Sequence, residues 1–198
     1  MIEKDETEDS RMSIQSAHRA AKRISVIGIT GSGKTYVARR LAAITGLPLH
    51  ELDSVKRDTS GSELGDHLFS ERVLSLVEND SWIIEGHYRS VRDAIWNRSD
   101  QIIWLDIPLH MVAMQILSRR LQASAPALQT RNSSPSNAKV RRPGWAHRAS
   151  RWSRSLKEKK LFAKLFADAD RRNVVRLRSR KEVSRFIEDS AGSSVAQS

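Results

Sequence analysis

Short β-branched runs alternate along this chain with longer stretches in which apolar residues recur every three or four positions. Ile24-Ser25-Val26-Ile27, Trp82-Ile83-Ile84 and Ile102-Ile103-Trp104-Leu105 are compact enough for buried strands, and Trp104 reads as core. Leu49-His50-Glu51-Leu52-Asp53 reads as a short strand ending in a carboxylate, and Asn173-Val174-Val175-Arg176-Leu177 as a fifth strand. Helical spacing fills the intervals. It covers Tyr36 to Ile44, then Leu64 to about Glu78 with Leu68, Val73, Leu74 and Val77 facing inward. A short helix follows from Val91 to Trp96, and another opens at Pro108 and runs to about Leu121 through Val112, Ile116 and Leu117. The pattern returns at Leu156-Leu161-Phe162-Leu165-Phe166 and over Lys181 to Glu188. Thr45-Gly46-Leu47-Pro48 stops the first helix, because glycine caps and proline cannot continue. Buried strands interleaved with helices predict an α/β fold: a five-stranded parallel sheet with helices on both faces.

The flanks differ in character. Residues 1–22 and 190–198 are polar and predict a disordered leader and tail around a domain at 23–189. Residues 122–137 are rich in Ser, Ala, Asn and Pro and read as loop, and 139–160 are basic with Trp145 and Trp152 interleaved. The stretch 122–160 is therefore a basic, lid-like insertion before the last strand.

Composition changes this picture in two places. The 198 residues suffice for one domain with a real core, and the absence of cysteine excludes a disulfide framework and thiolate metal sites. Acidic residues Glu3, Asp5, Glu6, Glu8 and Asp9 stand where a secretory signal needs a basic start, and no apolar run is long enough to span a bilayer. A cytoplasmic protein without membrane contact is expected. The net charge of +11 is local: residues 119–160 hold twelve Lys and Arg against Glu158 alone, so the remainder sums to zero.

The chemistry concentrates at Gly28-Ile29-Thr30-Gly31-Ser32-Gly33-Lys34-Thr35, which spells G-x-x-x-x-G-K-T, the phosphate-binding P-loop. Its context, strand before and helix after, is the one the motif requires. Backbone N–H groups of Gly28, Thr30, Gly31, Ser32 and Gly33 can cradle phosphate, and the helix start around Lys34, Thr35 and Tyr36 adds partial positive charge. Lys34 can reach the β- and γ-phosphates of ATP, and the Thr35 hydroxyl can ligate Mg²⁺. Asp53, Glu85 and Asp106 end successive strands on the same side of the sheet, where ligands bind in parallel α/β folds. Asp106 has the shape of a Walker B carboxylate, or it caps the helix opening at Pro108. Asp53 binds or deprotonates a substrate hydroxyl, or is a solvated loop residue. Arg89 offers a bidentate clamp for a phosphate or carboxylate. His50 and His87 have no partner at metal-ligand spacing.

The strand ends resemble the P-loop nucleoside and nucleotide kinase group, which includes adenylate kinase and shikimate kinase. The likeness is nearer to the small bacterial adenylate-kinase-like proteins called DNA topology modulation proteins. It rests on Val26 through Thr35, Thr45-Gly46-Leu47-Pro48 with Leu52-Asp53, Ser81 through Arg89, Ile103 through Pro108, Arg119-Arg120-Leu121 and Leu177 through Val183. In that group the loop after the third strand often reads Asp-Gly-x-x-Arg, so the resemblance implies that Glu85 holds Mg²⁺ through water; a turn cap is its alternative. It also implies that Arg119 or Arg120 lies near ATP and that Asp53 begins the acceptor site. Its lid cannot be aligned on 139–160, which can close over phosphates, bind nucleic acid through its cations and tryptophans, or be a solvated helix packed by its tryptophans. The resulting expectation is an ATP- and Mg²⁺-dependent kinase acting on a small-molecule or nucleotide acceptor. Its alternatives are a nucleotide-binding regulator acting on or near DNA, and a nucleotide binder without turnover.

Overall fold

The computed structural model describes residues 21–57, 61–114, 156–166 and 173–195. The five expected strands are all present: β1 (Arg23–Gly28), β2 (Leu49–Glu51), β3 (Trp82–Glu85), β4 (Gln101–Leu105) and β5 (Val174–Leu177). They form one parallel sheet in the order β2-β3-β1-β4-β5. The helices are α1 (Lys34–Thr45), α2 (Leu52–Val55), α3 (Asp66–Val77), α4 (Arg92–Arg98), α5 (109–114), α6 (156–165) and α7 (Arg180–Val195). None of the described helices is long and apolar enough to cross a membrane.

Side chains of successive strand residues point to opposite faces, so a strand buried on both sides sorts its residues into two cores. Ile24, Val26, Ile83, Ile103 and Leu105 face Val37, Ala38 and Leu41 of α1 and Phe186 and Ile187 of α7. Ile27, Trp82, Ile84, Ile102 and Trp104 face the opposite way, toward Leu52, Phe69, Val73, Val77, Ile95 and Phe162. Helix α6 is fastened there by aromatic contacts. Phe166 lies 5.0 Å from Trp96 and 5.6 Å from Trp104, ring centre to ring centre, a spacing at which aromatic pairs attract beyond their buried area. The start of β1 is pinned by Asp100, whose carboxylate accepts the Lys22 and Arg23 backbone N–H groups and both Nε and Nη2 of Arg23.

Three elements depart from the sequence expectation. The second strand ends at Glu51, and Asp53 belongs to the first turn of α2 rather than to a strand end. The inward face of α3 is Phe69, Val73 and Val77; Leu68 and Leu74 are exposed at 55% and 46%. The i, i+4, i+8 row contains Phe69 and excludes both leucines, so the larger aromatic sets the phase of the helix. The last helix extends to Val195, beyond Glu188. Nearly all of the leader, the lid-like residues 122–155, Arg119, Arg120, Ile116, Leu117 and the final residues 196–198 lie outside the described residues.

The phase of α3 is open to measurement. Phe69→Ala should cost about 3–5 kcal/mol in urea unfolding, whereas Leu68→Ala should stay within about 0.5 kcal/mol. Equal losses at the two positions would show that the helix is rotated from the arrangement described.

Candidate active site

The P-loop wraps from the end of β1 into α1. At Gly28 the backbone passes so close to β4 that a Cβ would lie 2.8 Å from the Leu105 carbonyl oxygen and from Ser32 Oγ. Only glycine fits there, which couples the loop to the neighbouring strand. Gly33 caps α1, and no acidic side chain lies in the first turn of that helix. Its N-terminal N–H groups therefore keep their positive end toward the loop.

Lys34, Thr35 and Glu85 meet at the base of this loop. Thr35 Oγ1 donates to Glu85 Oε2 at 3.3 Å, Lys34 Nζ stands 3.9 Å from Glu85 Oε1, and the same ammonium donates to the Ile29 carbonyl at 3.2 Å. Glu85 is the last residue of β3 and is 6% exposed. Burial pushes its carboxyl up from the usual range, while the Lys34 charge pulls it down. Burial likewise pushes the Lys34 ammonium down, opposed by Glu85 and Asp53. Each charge thus lowers the cost of burying the other. The Glu85 carboxylate is spent on a hydroxyl and an ammonium of the P-loop helix rather than on the turn that follows it.

That turn has its own constraint. Gly86 has φ 119°, and a Cβ there would meet Leu52 Cβ at 3.1 Å. His87, Tyr88 and Arg89 follow this kink. Tyr88 Oη donates to Asp53 Oδ1 at 2.8 Å, and its ring packs on Phe69 at 4.7 Å. Burial, then the bond to Asp53, pushes the Tyr88 phenol up to about 12, so it remains a donor at neutral pH. Arg89 is exposed. His87 stacks edge-on against Phe162 at 4.8 Å. Burial, with the charges of Arg92, Lys34 and Arg89, lowers its imidazole to about 4, so it is neutral at pH 7. Tyr36 is 57% exposed on the first turn of α1, and Thr30 is exposed at the loop tip.

Asp106 has a role that neither sequence reading named. It is 7% exposed and joins two cations. Arg176 of β5 donates to Oδ2 from Nε and Nη2, at 2.9 and 2.5 Å. Lys159 of α6 places Nζ 2.8 Å from Oδ1 and also donates to the Ile107 carbonyl. The Arg176 guanidinium stacks on Trp104 at 4.4 Å. Asp106 therefore ties α6, the end of the basic stretch, to two strands. No local sequence signal could reveal this, because Asp106, Lys159 and Arg176 are remote in the chain.

Among the described residues, no group of three or more His, Cys, Asp or Glu could hold a metal by protein alone. The Thr35 hydroxyl and Glu85 carboxylate instead form an all-oxygen pair beside the phosphate loop. That set suits Mg²⁺, which takes one or two protein oxygens together with substrate phosphates and water. The structure brings together the P-loop, Lys34, Thr35 and Glu85 as one cluster, and Asp53 with Tyr88 as a second beside it.

No protein-family model and no curated protein sequence matches the chain. Solved structures do. A gluconokinase from Sinorhizobium meliloti 1021 superposes with a TM-score of 0.51 at 15% identity, over 89% of this chain and 93% of that one. A shikimate kinase from Acinetobacter baumannii, in complex with shikimate, gives 0.50 at 14% identity over 92% and 98%. A shikimate kinase from Bacteroides thetaiotaomicron gives 0.50 at 14% identity over 85% and 96%. At such identities the shared property is the fold. None of these three structures is named for an action on DNA, and the nearer resemblance to DNA topology modulation proteins finds no support among them. The chain has the P-loop fold of shikimate kinase and gluconokinase, with its five-stranded parallel sheet and helices on both faces.

The Asp106 cluster makes acid sensitivity calculable in sign. Burial alone would raise its carboxyl, but hydrogen bonds and charges from Lys159 and Arg176 outweigh it, and the net direction is down. A carboxyl lowered in the folded state stabilises fully above its unfolded value of about 3.9 and loses that contribution as pH falls through its folded value. Wild-type unfolding midpoints should therefore drop on acidification below about pH 4 more steeply than those of Asp106→Asn. Parallel pH profiles for the two proteins would refute the ion-pair assignment.

Proposed function

We propose that this protein is an ATP-dependent phosphotransferase that phosphorylates a hydroxyl group of a small-molecule acceptor. The observation that carries the reading is the cluster of half-buried Lys34 and Thr35 with buried Glu85 at the base of the P-loop. A glycine loop alone binds phosphate; a loop with an ammonium, a hydroxyl and a buried carboxylate can also position a metal and stabilise transferring charge. Fold neighbours named as gluconokinase and shikimate kinase support the same reaction class.

In this reading the loop amides and Lys34 hold the β- and γ-phosphates of ATP. Thr35 and Glu85 hold Mg²⁺, the latter through water. When bound, Mg²⁺ supplies charge neutralisation at the phosphates. Asp53 orients the acceptor hydroxyl, and exposed Arg89 clamps an anionic group on the acceptor. Tyr36, at the start of α1, flanks the nucleotide, and Arg119 or Arg120 contributes near ATP. Phosphoryl transfer needs little covalent help from the protein, so this division of labour is sufficient in kind.

The nucleic-acid reading draws no support from the described part of the basic stretch. There Lys159 is spent on Asp106 and the Ile107 carbonyl, and Lys157 and Lys160 are the exposed lysines.

The decisive experiment incubates the full chain with γ-labelled ATP, Mg²⁺ and a panel of hydroxy acids, sugars, nucleosides and nucleotides. Label should move to one hydroxylated compound. ATP binding without any transfer, to the panel or to water, would sink the kinase reading.

Two variants sharpen it. Lys34→Ala should abolish transfer and weaken ATP binding, and it should also lower nucleotide-free stability, because it leaves the buried Glu85 carboxylate without its ammonium partner. Intact transfer in that variant would remove the P-loop from the mechanism. Glu85→Gln should raise the Mg²⁺ concentration needed for half-maximal transfer by roughly tenfold or more, since outer-shell groups typically matter by that factor. A Glu85 that merely caps a turn would instead lose about 1 kcal/mol of stability with metal dependence unchanged.

A further inference from the structure

The geometry points to Tyr88 as a positioning residue for the acceptor: its hydroxyl orients the Asp53 carboxylate and ties the acceptor side of the site to the loop that carries Glu85. The inference rests on the kinase reading above and adds to it a group with no place in the P-loop chemistry.

Asp53 is exposed and lies on α2, a helix of only four residues. Such a side chain has several rotamers of similar energy, and a binding group that must first be ordered loses affinity to that ordering. Tyr88 supplies the order. Its Oη donates to Oδ1 at 2.8 Å, leaving Oδ2 to accept from an acceptor hydroxyl. A bond to an ionised acceptor is among the stronger kinds. The tyrosine is itself held, because its ring packs at 4.7 Å on Phe69, which is fully buried. Phe69 in turn lies 4.9 Å below the Lys56 ammonium, and Lys56 pairs with Asp66 at the start of α3. A rigid path therefore runs from the core of α3 through Phe69 and Tyr88 to Asp53.

The other end of Tyr88 matters as much. Only Gly86 and His87 separate it from Glu85, with Gly86 kinked against Leu52, the residue directly before Asp53. One short loop thus touches the acceptor-side helix at two points, through packing at Gly86 and through the hydroxyl at Tyr88. The distance between the Glu85 carboxylate and the Asp53 carboxylate is thereby set by covalent structure plus one hydrogen bond. In-line transfer depends on that kind of spacing.

Tyr88→Phe removes the hydroxyl and keeps the ring on Phe69, so the fold should survive. The test has two arms on the full chain. The first is a double-mutant cycle in urea unfolding with Tyr88→Phe, Asp53→Asn and both together. The loss from Tyr88→Phe should shrink markedly when Asp53 is already Asn; strictly additive losses would overturn the proposal. The second arm measures steady-state kinetics with ATP and the acceptor returned by the labelled-ATP panel. Tyr88→Phe should raise the acceptor KM roughly tenfold, the factor that about 1.4 kcal/mol represents, with the ATP KM within about twofold. A merely structural role would shift both constants or neither, and either result would overturn the proposal. A panel that returns no acceptor overturns the kinase reading instead, and the first arm then still decides whether the hydroxyl holds Asp53.

Discussion

The parallel register that sets Glu85 of β3 opposite Val26 of β1 is the constraint from which the site follows. β1 is the central strand and runs directly into the P-loop. With this register, the carboxylate ending β3 falls level with the first turn of α1, in reach of Lys34 and Thr35. A slip by one residue would turn every β3 side chain to the other face and remove Glu85 from the loop. The register is held by burial on both faces, since Ile83 belongs to one core and Trp82 and Ile84 to the other.

The same strand ties the loop to its other neighbour. Gly28 pairs with Leu105 and approaches its carbonyl too closely for any side chain. Asp106 follows Leu105, and its ion pairs with Arg176 and Lys159 carry the connection to β5 and α6. The phosphate loop is thus flanked by two buried carboxylates with different duties. Glu85 faces the loop itself, whereas Asp106 is ion-paired with Arg176 and Lys159 of the scaffold. Two cationic partners offset the cost of burying the Asp106 charge, which sets it apart from Glu85 although both read in sequence as strand-end carboxylates.

The two clusters rest on different supports. The P-loop cluster of Lys34, Thr35 and Glu85 is built on a twelve-residue helix and strands of the sheet interior, with the Glu85 charge buried. Asp53 and Arg89 stand on a four-residue helix and a kinked loop, and both are exposed. That side is cross-linked by the hydroxyl of Tyr88 on Asp53 and by the packing of Gly86 on Leu52.

The chain by itself determined the architecture and the phosphate loop. Both follow from local rules: β-branched runs bury as strands, helical spacing packs over them, and a G-x-x-x-x-G-K-T run between the two reads as a P-loop. Glu85 was legible as a strand-end carboxylate, though its contact with Thr35 was not. What only the tertiary structure decided concerns groups far apart in sequence. Phe69, not Leu68 or Leu74, turned α3 inward, because the cavity above the sheet selects by shape as well as by hydropathy. Asp106 found Lys159 and Arg176 across fifty-three and seventy residues, and Tyr88 found Asp53 across thirty-five. Local periodicity carries no information about such partners, since each pairing depends on how helices settle on the sheet and on which remote side chains that settling brings within a few ångströms.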